Sequence, residues 1–311
     1  MKALPNYRPW LVIVACPLAS IWAVQTEYTS HGDPTNFEQY NLELINRARA
    51  DPNAEAARYG ISLNEGPPSS TITSTPKVPL ALNQNLIASS RGHSQDMNTN
   101  NYFSHDTQSP FQTFSARITS FGYSWSTVAE NIAWSSSNAG PSKALVDQFH
   151  QLLFVDSSIA GRGHRLNIMN ESMREIGFGF GWGTSGTYET QDFGRRLAAT
   201  PRVFLLGVVY NDSNANNFYD PGEGLNTVTL TPNNGTFFAN TSAAGGYAFP
   251  IDGLTGSLTV TASGGSLGGQ IIKTVNLTGN SIKLDFKLSE VNHPPNISTP
   301  TANPNPTKLS P

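Results

Sequence analysis

Apolar positions recur at helical spacing through the first half of the chain and give way to short strand-like runs in the second half. From Asn36, the residues Phe37, Tyr40, Leu44 and Ile45 mark one face of a predicted helix that closes at Asn46-Arg-Ala-Arg49. Asp51-Pro52 then reads as an N-cap with proline in the first turn of a second helix. A further helix is predicted over about 82–100, with Leu82, Leu86, Ser90, His93 and Met97 along one face. Others are predicted over roughly 111–121 and after Pro141, where Ala144, Leu145, Gln148, Phe149, Leu152 and Leu153 recur. Residues 62–79, rich in Pro, Ser and Thr, read as a surface loop, and strands are expected over 175–180, 187–193 and 202–210. Helices interleaved with a few strands imply an α+β layer architecture. Beyond Pro201 the pattern changes to Val/Thr/Leu/Phe runs separated by Asn-Gly, Gly-Gly and Asp-Gly turns, so 201–288 is expected to be a small all-β sandwich. The Pro/Asn/Thr-rich stretch 289–311 has too few apolar residues to build a core.

The ends of the chain add a destination. Lys2 and Arg8 precede an apolar run from Pro9 to Val24, with no acidic residue before Glu27, which is the pattern of a secretory signal. The run is short and broken by prolines, whereas a membrane span needs about 20 apolar residues, so no transmembrane segment is expected in the mature protein. Residues 1–24 are therefore expected to be a signal and 25–35 a linker, with the rest secreted or held at the cell surface. The sole cysteine, Cys16, lies within Ile13-Val-Ala-Cys16, which resembles the lipobox of bacterial lipoproteins, so lipid anchoring is the alternative to cleavage near Ala23. Either way no disulfide can staple the body, and stability must come from core size and bound ions. With 13% charged residues, a net charge of -3 and no Lys/Arg cluster, the chain lacks a nucleic-acid footprint.

Six histidines occur, and three stand in polar company: His93 in Gly-His-Ser-Gln-Asp-Met97, His105 in Tyr-Phe-Ser-His-Asp106, and His164 in Gly-Arg-Gly-His-Arg-Leu-Asn167. Glu130 lies between apolar neighbours in Ala-Glu-Asn-Ile132. Neutral imidazoles bind divalent metals or move protons near neutral pH, and a carboxylate can orient them. No HExxH-type pair fixes two ligands on one helix, and a lone histidine is more often structural.

Taken together the segments resemble the CAP family (cysteine-rich secretory, antigen 5 and pathogenesis-related proteins) in its bacterial form. The matching stretches are Leu44-Ile-Asn-Arg-Ala-Arg-Ala-Asp-Pro52, His93-Ser-Gln-Asp-Met97, Asn101-Tyr-Phe-Ser-His105, Ala129-Glu-Asn-Ile-Ala133, Gly163-His-Arg-Leu-Asn-Ile168, Ile176-Gly-Phe-Gly179 and Tyr188-Glu-Thr-Gln-Asp-Phe-Gly194. They fall in family order across the domain expected over 36–198. The resemblance implies an α-β-α sandwich with an open cleft holding two histidines and two glutamates, through which several members bind a divalent cation such as zinc. By motif, His105, Glu130 and His164 take three of those positions. The second glutamate has no match in Val146-Asp-Gln-Phe-His-Gln-Leu-Leu-Phe-Val-Asp156, where Asp156 or Asp147 is the available substitute. His93 is expected to be buried and hydrogen-bonded or to line the cleft, His150 to lie at the surface or in helix packing, and Arg165 to be solvated or to meet an anion.

A second site is more sharply spaced. In Asp212-Ser-Asn-Ala-Asn-Asn-Phe-Tyr-Asp-Pro-Gly-Glu223, oxygen-bearing side chains fall at positions 1, 3, 5, 9 and 12: Asp212, Asn214, Asn216, Asp220 and Glu223. Phe218 would add its carbonyl at position 7, completing the spacing by which one loop wraps calcium. Asn217 replaces the usual glycine and tolerates the left-handed conformation. The flanks read as strands rather than helices. With Ala243-Ala-Gly-Gly-Tyr-Ala-Phe249 they resemble the Cna-B or SdrD-B-like repeats of bacterial surface adhesins, which implies a calcium-stiffened module. The alternative is a metal-free Asn/Asp turn.

Two functions follow. One is a secreted binding or structural protein whose cleft holds a small or lipid-like ligand. The other is a hydrolase using His105 and His164, with or without metal, and Glu130 as orienter. Ser94, Ser104, Ser157 and Ser158 lie near these histidines in sequence, but none sits in a nucleophile elbow.

Overall fold

The computed structural model describes residues 24–67, 72–198 and 202–292. Most of the expected signal with Cys16, and the tail beyond 292, lie outside the described residues. Six α-helices are present among them: α1 (Asn36–Ala50), α2 (Pro52–Arg58), α3 (Gln84–Asn100), α4 (Phe114–Ser120), α5 (Lys143–Val155) and α6 (Gly163–Met169). The first-half strands are β1 (Thr26–Glu27), β2 (Ala81–Leu82), β3 (Thr107–Gln108), β4 (Phe111–Gln112), β5 (Trp125–Ser135), β6 (Glu175–Trp182) and β7 (Thr187–Arg196). The second half adds β8 (Phe204–Tyr210), β9 (Thr229–Pro232), β10 (Phe237–Asn240), β11 (Gly246–Pro250), β12 (Gly256–Ser263), β13 (Gln270–Leu277), β14 (Ile282–Lys283) and β15 (Phe286–Lys287). The result is a mixed α/β structure with several β sheets in its C-terminal part.

Local chemistry sets the helix ends. Thr35 accepts from Glu38 N while the Glu38 side chain accepts from Thr35 N, a capping box that starts α1. Asn83, Thr113 and Ser142 accept from the first-turn N–H groups of α3, α4 and α5. The Thr113 cap explains why the helix expected from 111 begins at Phe114: Phe111–Gln112 instead pair with Thr107–Gln108.

The first sheet runs β2-β6-β7-β5. In β6 the glycines 177, 179 and 181 alternate with Ile176, Phe178 and Phe180, and the alternation decides what covers each face. A Cβ on Gly177 would sit 2.1 Å from the backbone of Leu86, and one on Gly179 2.1 Å from that of Arg91, so α3 lies directly on the glycine face. Ile176, Phe178 and Phe180 enter a core with Leu44 and Ile45 of α1 and Phe149, Leu153 and Phe154 of α5.

The second half does not stand apart from the first. All seven residues of β8 are buried. Leu205 and Val209 join the second-half core with Leu230, Phe249, Val260 and Phe286, whereas Val208 and Tyr210 join the first-half core. Glu43 of α1 meets Lys283 Nζ at 2.8 Å, and Lys283 also bonds Asp285. Residues 25–35, expected as a linker, are also built in. Thr26–Glu27 pair in parallel with Phe237–Phe238, Gln25 Nε2 donates to the Pro232 carbonyl at 3.0 Å, and Tyr28 packs edge-on against Phe237. A polar composition conceals this because a two-residue edge strand needs only one half-buried ring, here Tyr28.

Candidate cleft at the open edge of the first sheet

Strand β5, at the sheet edge, places Glu130 and Asn131 on opposite faces. On one face His105 Nδ1 lies 2.8 Å from Glu130 Oε1. Arg117 of α4 donates to Glu130 Oε2 and, at 2.9 Å, to the His105 carbonyl. Asp192 is the register partner of Glu130 on β7 and lies 4.0 Å from the Arg117 guanidinium. Burial pushes the Glu130 carboxyl up to about 7 despite Arg117, and burial together with the Glu130 charge pushes Asp192 up as well. Neither Asp192 oxygen has a hydrogen-bond partner within the usual geometry, yet its carboxyl adjoins Glu130. Two buried carboxylates facing one arginine retain a proton between them, which reconciles the two observations. Burial and the Arg117 charge lower the affinity of His105 for a proton, so its imidazole is neutral near neutral pH.

On the other side, Asp156 pairs with His164. It adopts a left-handed conformation at the end of α5 with φ 54°. Its Oδ2 accepts the His164 backbone N–H at 2.9 Å and its Oδ1 lies 2.8 Å from His164 Nδ1. One carboxylate thus caps α6 and orients its histidine. In a neutral imidazole the nitrogen bonded to a carboxylate carries the proton, so His105 presents Nε2 with its lone pair, and the Asp156 contact orients the His164 ring through the same nitrogen. Asn131 and Asn167 tie the halves together: Asn131 Nδ2 donates to the His164 carbonyl at 3.3 Å, and Asn167 Nδ2 to the Glu130 carbonyl at 3.2 Å.

Beside His164 and Asp156 opens a cleft of about 480 Å³ walled by Phe103, Trp134, Leu152 and Ile159, with Ser157 and Ser158 also lining it. Phe103 is 53% exposed, Trp134 46% and Leu152 52%, and the three gather at this one cleft.

The other singled-out residues lie elsewhere. His93 is buried, with Nε2 2.9 Å from the Ser104 carbonyl, and burial lowers its pKa to about 3. His150 is not at the surface but fully buried against Glu55 at 2.8 Å, which is the helix-packing alternative. Arg165 is neither solvated nor open to an anion. It is wholly buried and donates to the carbonyls of Leu63, Phe154, Val155 and Glu65. Asp147 accepts from Tyr40 OH at 2.6 Å and from Lys143, away from the cleft. Ser94 donates to the Gly179 carbonyl, and Ser104 accepts from Asp106 N. Asp192 joins the site from within the matching stretch 188–194, and Arg117 joins it without any sequence signal; an isolated arginine in a short helix gives no sign of what it will neutralise.

Residues 42–194 match the model of CAP, the cysteine-rich secretory protein family. These residues are a CAP domain. Its bacterial type is supported by the uncharacterised protein YkwD of Bacillus subtilis strain 168, 35% identical over 118 residues that cover 37% of this chain and 39% of that protein. An extracellular SCP-domain protein from Bacillus anthracis str. Ames shares 26% identity over 51% of this chain and 41% of its own, with a TM-score of 0.32. An outer surface protein of Borrelia burgdorferi shares 16% identity over 38% of this chain and 77% of its own, with a TM-score of 0.31. The chain thus spans about two fifths of the length of the two bacillar relatives. Among the described residues no helix is long and apolar enough to cross a membrane.

In the loop 212–223, Asn217 adopts a left-handed conformation with φ 61°. Glu223 Oε1 accepts from Ser213 N and Oγ, and its Oε2 from Asp220 N. Asn214 and Asn216 turn their amides toward Asp220 Oδ2 at 2.6 and 3.0 Å, and the Phe218 N–H donates to Asn216 Oδ1. Asp212 Oδ1 and Asp220 Oδ1 are buried with no hydrogen-bond partner.

Proposed function

We propose that the chain is an exported bacterial ligand-binding protein, an α-β-α CAP sandwich that presents an apolar cleft and is braced by a calcium-holding B-type β module. The observation that carries this reading is the cleft itself, where half-exposed Phe103, Trp134 and Leu152 surround the His164–Asp156 pair. Such a wall suits the hydrocarbon part of a small or lipid-like ligand, with its polar end at His164. The test is titration of the full chain with a fluorescent fatty-acid probe. Saturable binding is expected, weakened about tenfold or more by Trp134→Ala and by Leu152→Asp. Equal affinity in all three proteins would remove the cleft from the account.

A hydrolase remains the second reading because Ser157 and Ser158 line the same cleft as His164. It requires turnover of an ester probe that His164→Ala abolishes. For zinc or another divalent cation, the Nε2 atoms of His105 and His164 are the available ligands. Among the described residues no three His, Cys, Asp or Glu groups gather to hold a metal. A protein site for zinc uses three or four such ligands, so this set does not fit zinc. The carboxylates of loop 212–223 are likewise not gathered into such a set, but two buried carboxylate oxygens without partners, at Asp212 and Asp220, support calcium there, a hard cation that also takes amide and carbonyl oxygens such as those of Asn214, Asn216 and Phe218. The ion would supply stiffness there.

A further inference from the structure

The loop 212–223 touches the CAP domain, and the contact bears on how the loop would hold an ion. Phe218 meets Tyr40 of α1 with ring centroids 6.1 Å apart and lies 5.2 Å beneath the Arg47 guanidinium. Two ammonium groups stand at the loop's carboxylates. Lys143 Nζ of α5 is 3.6 Å from Asp220 Oδ1, and Lys287 Nζ of β15 is 3.6 Å from Asp212 Oδ2. The Asp212 side chain is nine-tenths buried, and its second oxygen has no partner. Asp220 Oδ1 likewise accepts no hydrogen bond, so at 3.6 Å the Lys143 charge is what neutralises it.

From this placement we infer that Lys143 competes with calcium for Asp220, so that the CAP domain sets the ion affinity of the β module. The inference rests on the calcium reading of the loop. A dication within the loop repels an ammonium a few ångströms away, and binding must displace that ammonium. Lys143 is equipped to leave. It already lies 3.1 Å from Asp147 Oδ2, and Asp147 is fixed by the Tyr40 hydroxyl at 2.6 Å. A cavity of about 550 Å³ between Tyr40, Lys143 and Asp147 on one side and Asn216, Phe218 and Asp220 on the other gives the side chain room to turn. Lys287 has an alternative acceptor of its own in Asn217 Oδ1, 2.6 Å away, but belongs to the β half. By reciprocity, calcium loosens the Lys143–Asp220 contact by the factor that the contact weakens calcium. The apolar seat of Phe218 persists in both states.

The experiment is calcium titration by calorimetry on the full chain and on Lys143→Gln, Lys143→Arg and Lys273→Gln, the last altering a lysine bonded to Glu290 and the Asp285 carbonyl. Lys143→Gln should bind calcium about three- to tenfold more tightly at low salt, a gain that shrinks as ionic strength rises. Lys143→Arg and Lys273→Gln should match the parent. Unchanged or weaker binding by Lys143→Gln, with the parent binding normally, overturns the inference and spares the calcium reading. Failure of the parent to bind calcium overturns both.

Discussion

Glu189 of β7 tests the account of the CAP core most directly. Its side chain is wholly buried, and Oε1 accepts from Asn41 Nδ2 and Gln191 Nε2, both at 2.6 Å. Its Oε2 has no partner. Burial, only partly offset by the Gln191 and Asn41 hydrogen bonds, raises the carboxyl from 4.5 to about 7. Between those values the native chain keeps a proton that the unfolded chain has released, so stability falls as pH rises. The penalty is absent below the unfolded value and complete above about 7, where the shift corresponds to about 3 kcal/mol. Glu189→Gln keeps the shape and both accepted hydrogen bonds but cannot ionise. Its buried NH₂ costs about 1–3 kcal/mol at every pH, which cancels when two pH values are compared. Urea unfolding of both proteins at pH 5 and pH 8, at constant ionic strength, should show the variant gaining about 2.5 kcal/mol relative to the parent between the two, since a small part of the penalty is already present at pH 5. A stability difference that stays flat within about 1 kcal/mol would refute the buried, uncompensated carboxylate.

Two further outcomes are expected. Gly179→Ala places a methyl 2.1 Å from the Arg91 backbone, which cannot rotate aside, so the loss should reach at least the upper end of overpacking costs, about 3 kcal/mol by denaturant midpoint; a loss below about 1 kcal/mol would mean that α3 does not rest on that face. Millimolar calcium should raise the melting temperature of the parent but not of Asp212→Ala, read by circular dichroism; an equal rise in both would place the ion elsewhere.

The sequence is most readable where local chemistry decides structure. The helix over 36–50 carries its periodicity, and Asp51-Pro52 marks the next start. The CAP segments locate His105, Glu130 and His164 because each sits in a short motif. Strand β5 is hidden in the sequence. Glu130 and Asn131 interrupt its apolar pattern because both are buried by polar partners rather than by apolar burial. Arg165 and His150 mislead for the same reason: residues that usually seek water are satisfied here by carbonyls and by Glu55. The change of character near residue 201 is visible in composition, but not that β8 is buried on both faces. A run such as Phe-Leu-Leu-Gly-Val-Val-Tyr has no polar side to betray an exposed face, and that is the available clue.

The parallel pairing of Thr26–Glu27 with Phe237–Phe238 has a mechanical consequence. A pull applied at Val24 is taken up by the C-terminal half of the chain before it reaches α1, because the pulled segment is laced into that half's sheet. Load along the strand axis would shear the β1–β10 ladder and the Tyr28 ring together rather than unzip them one bond at a time. A protein tethered through its N-terminal side would thus pass tension around its CAP domain, leaving the cleft at the β5 edge outside the line of force.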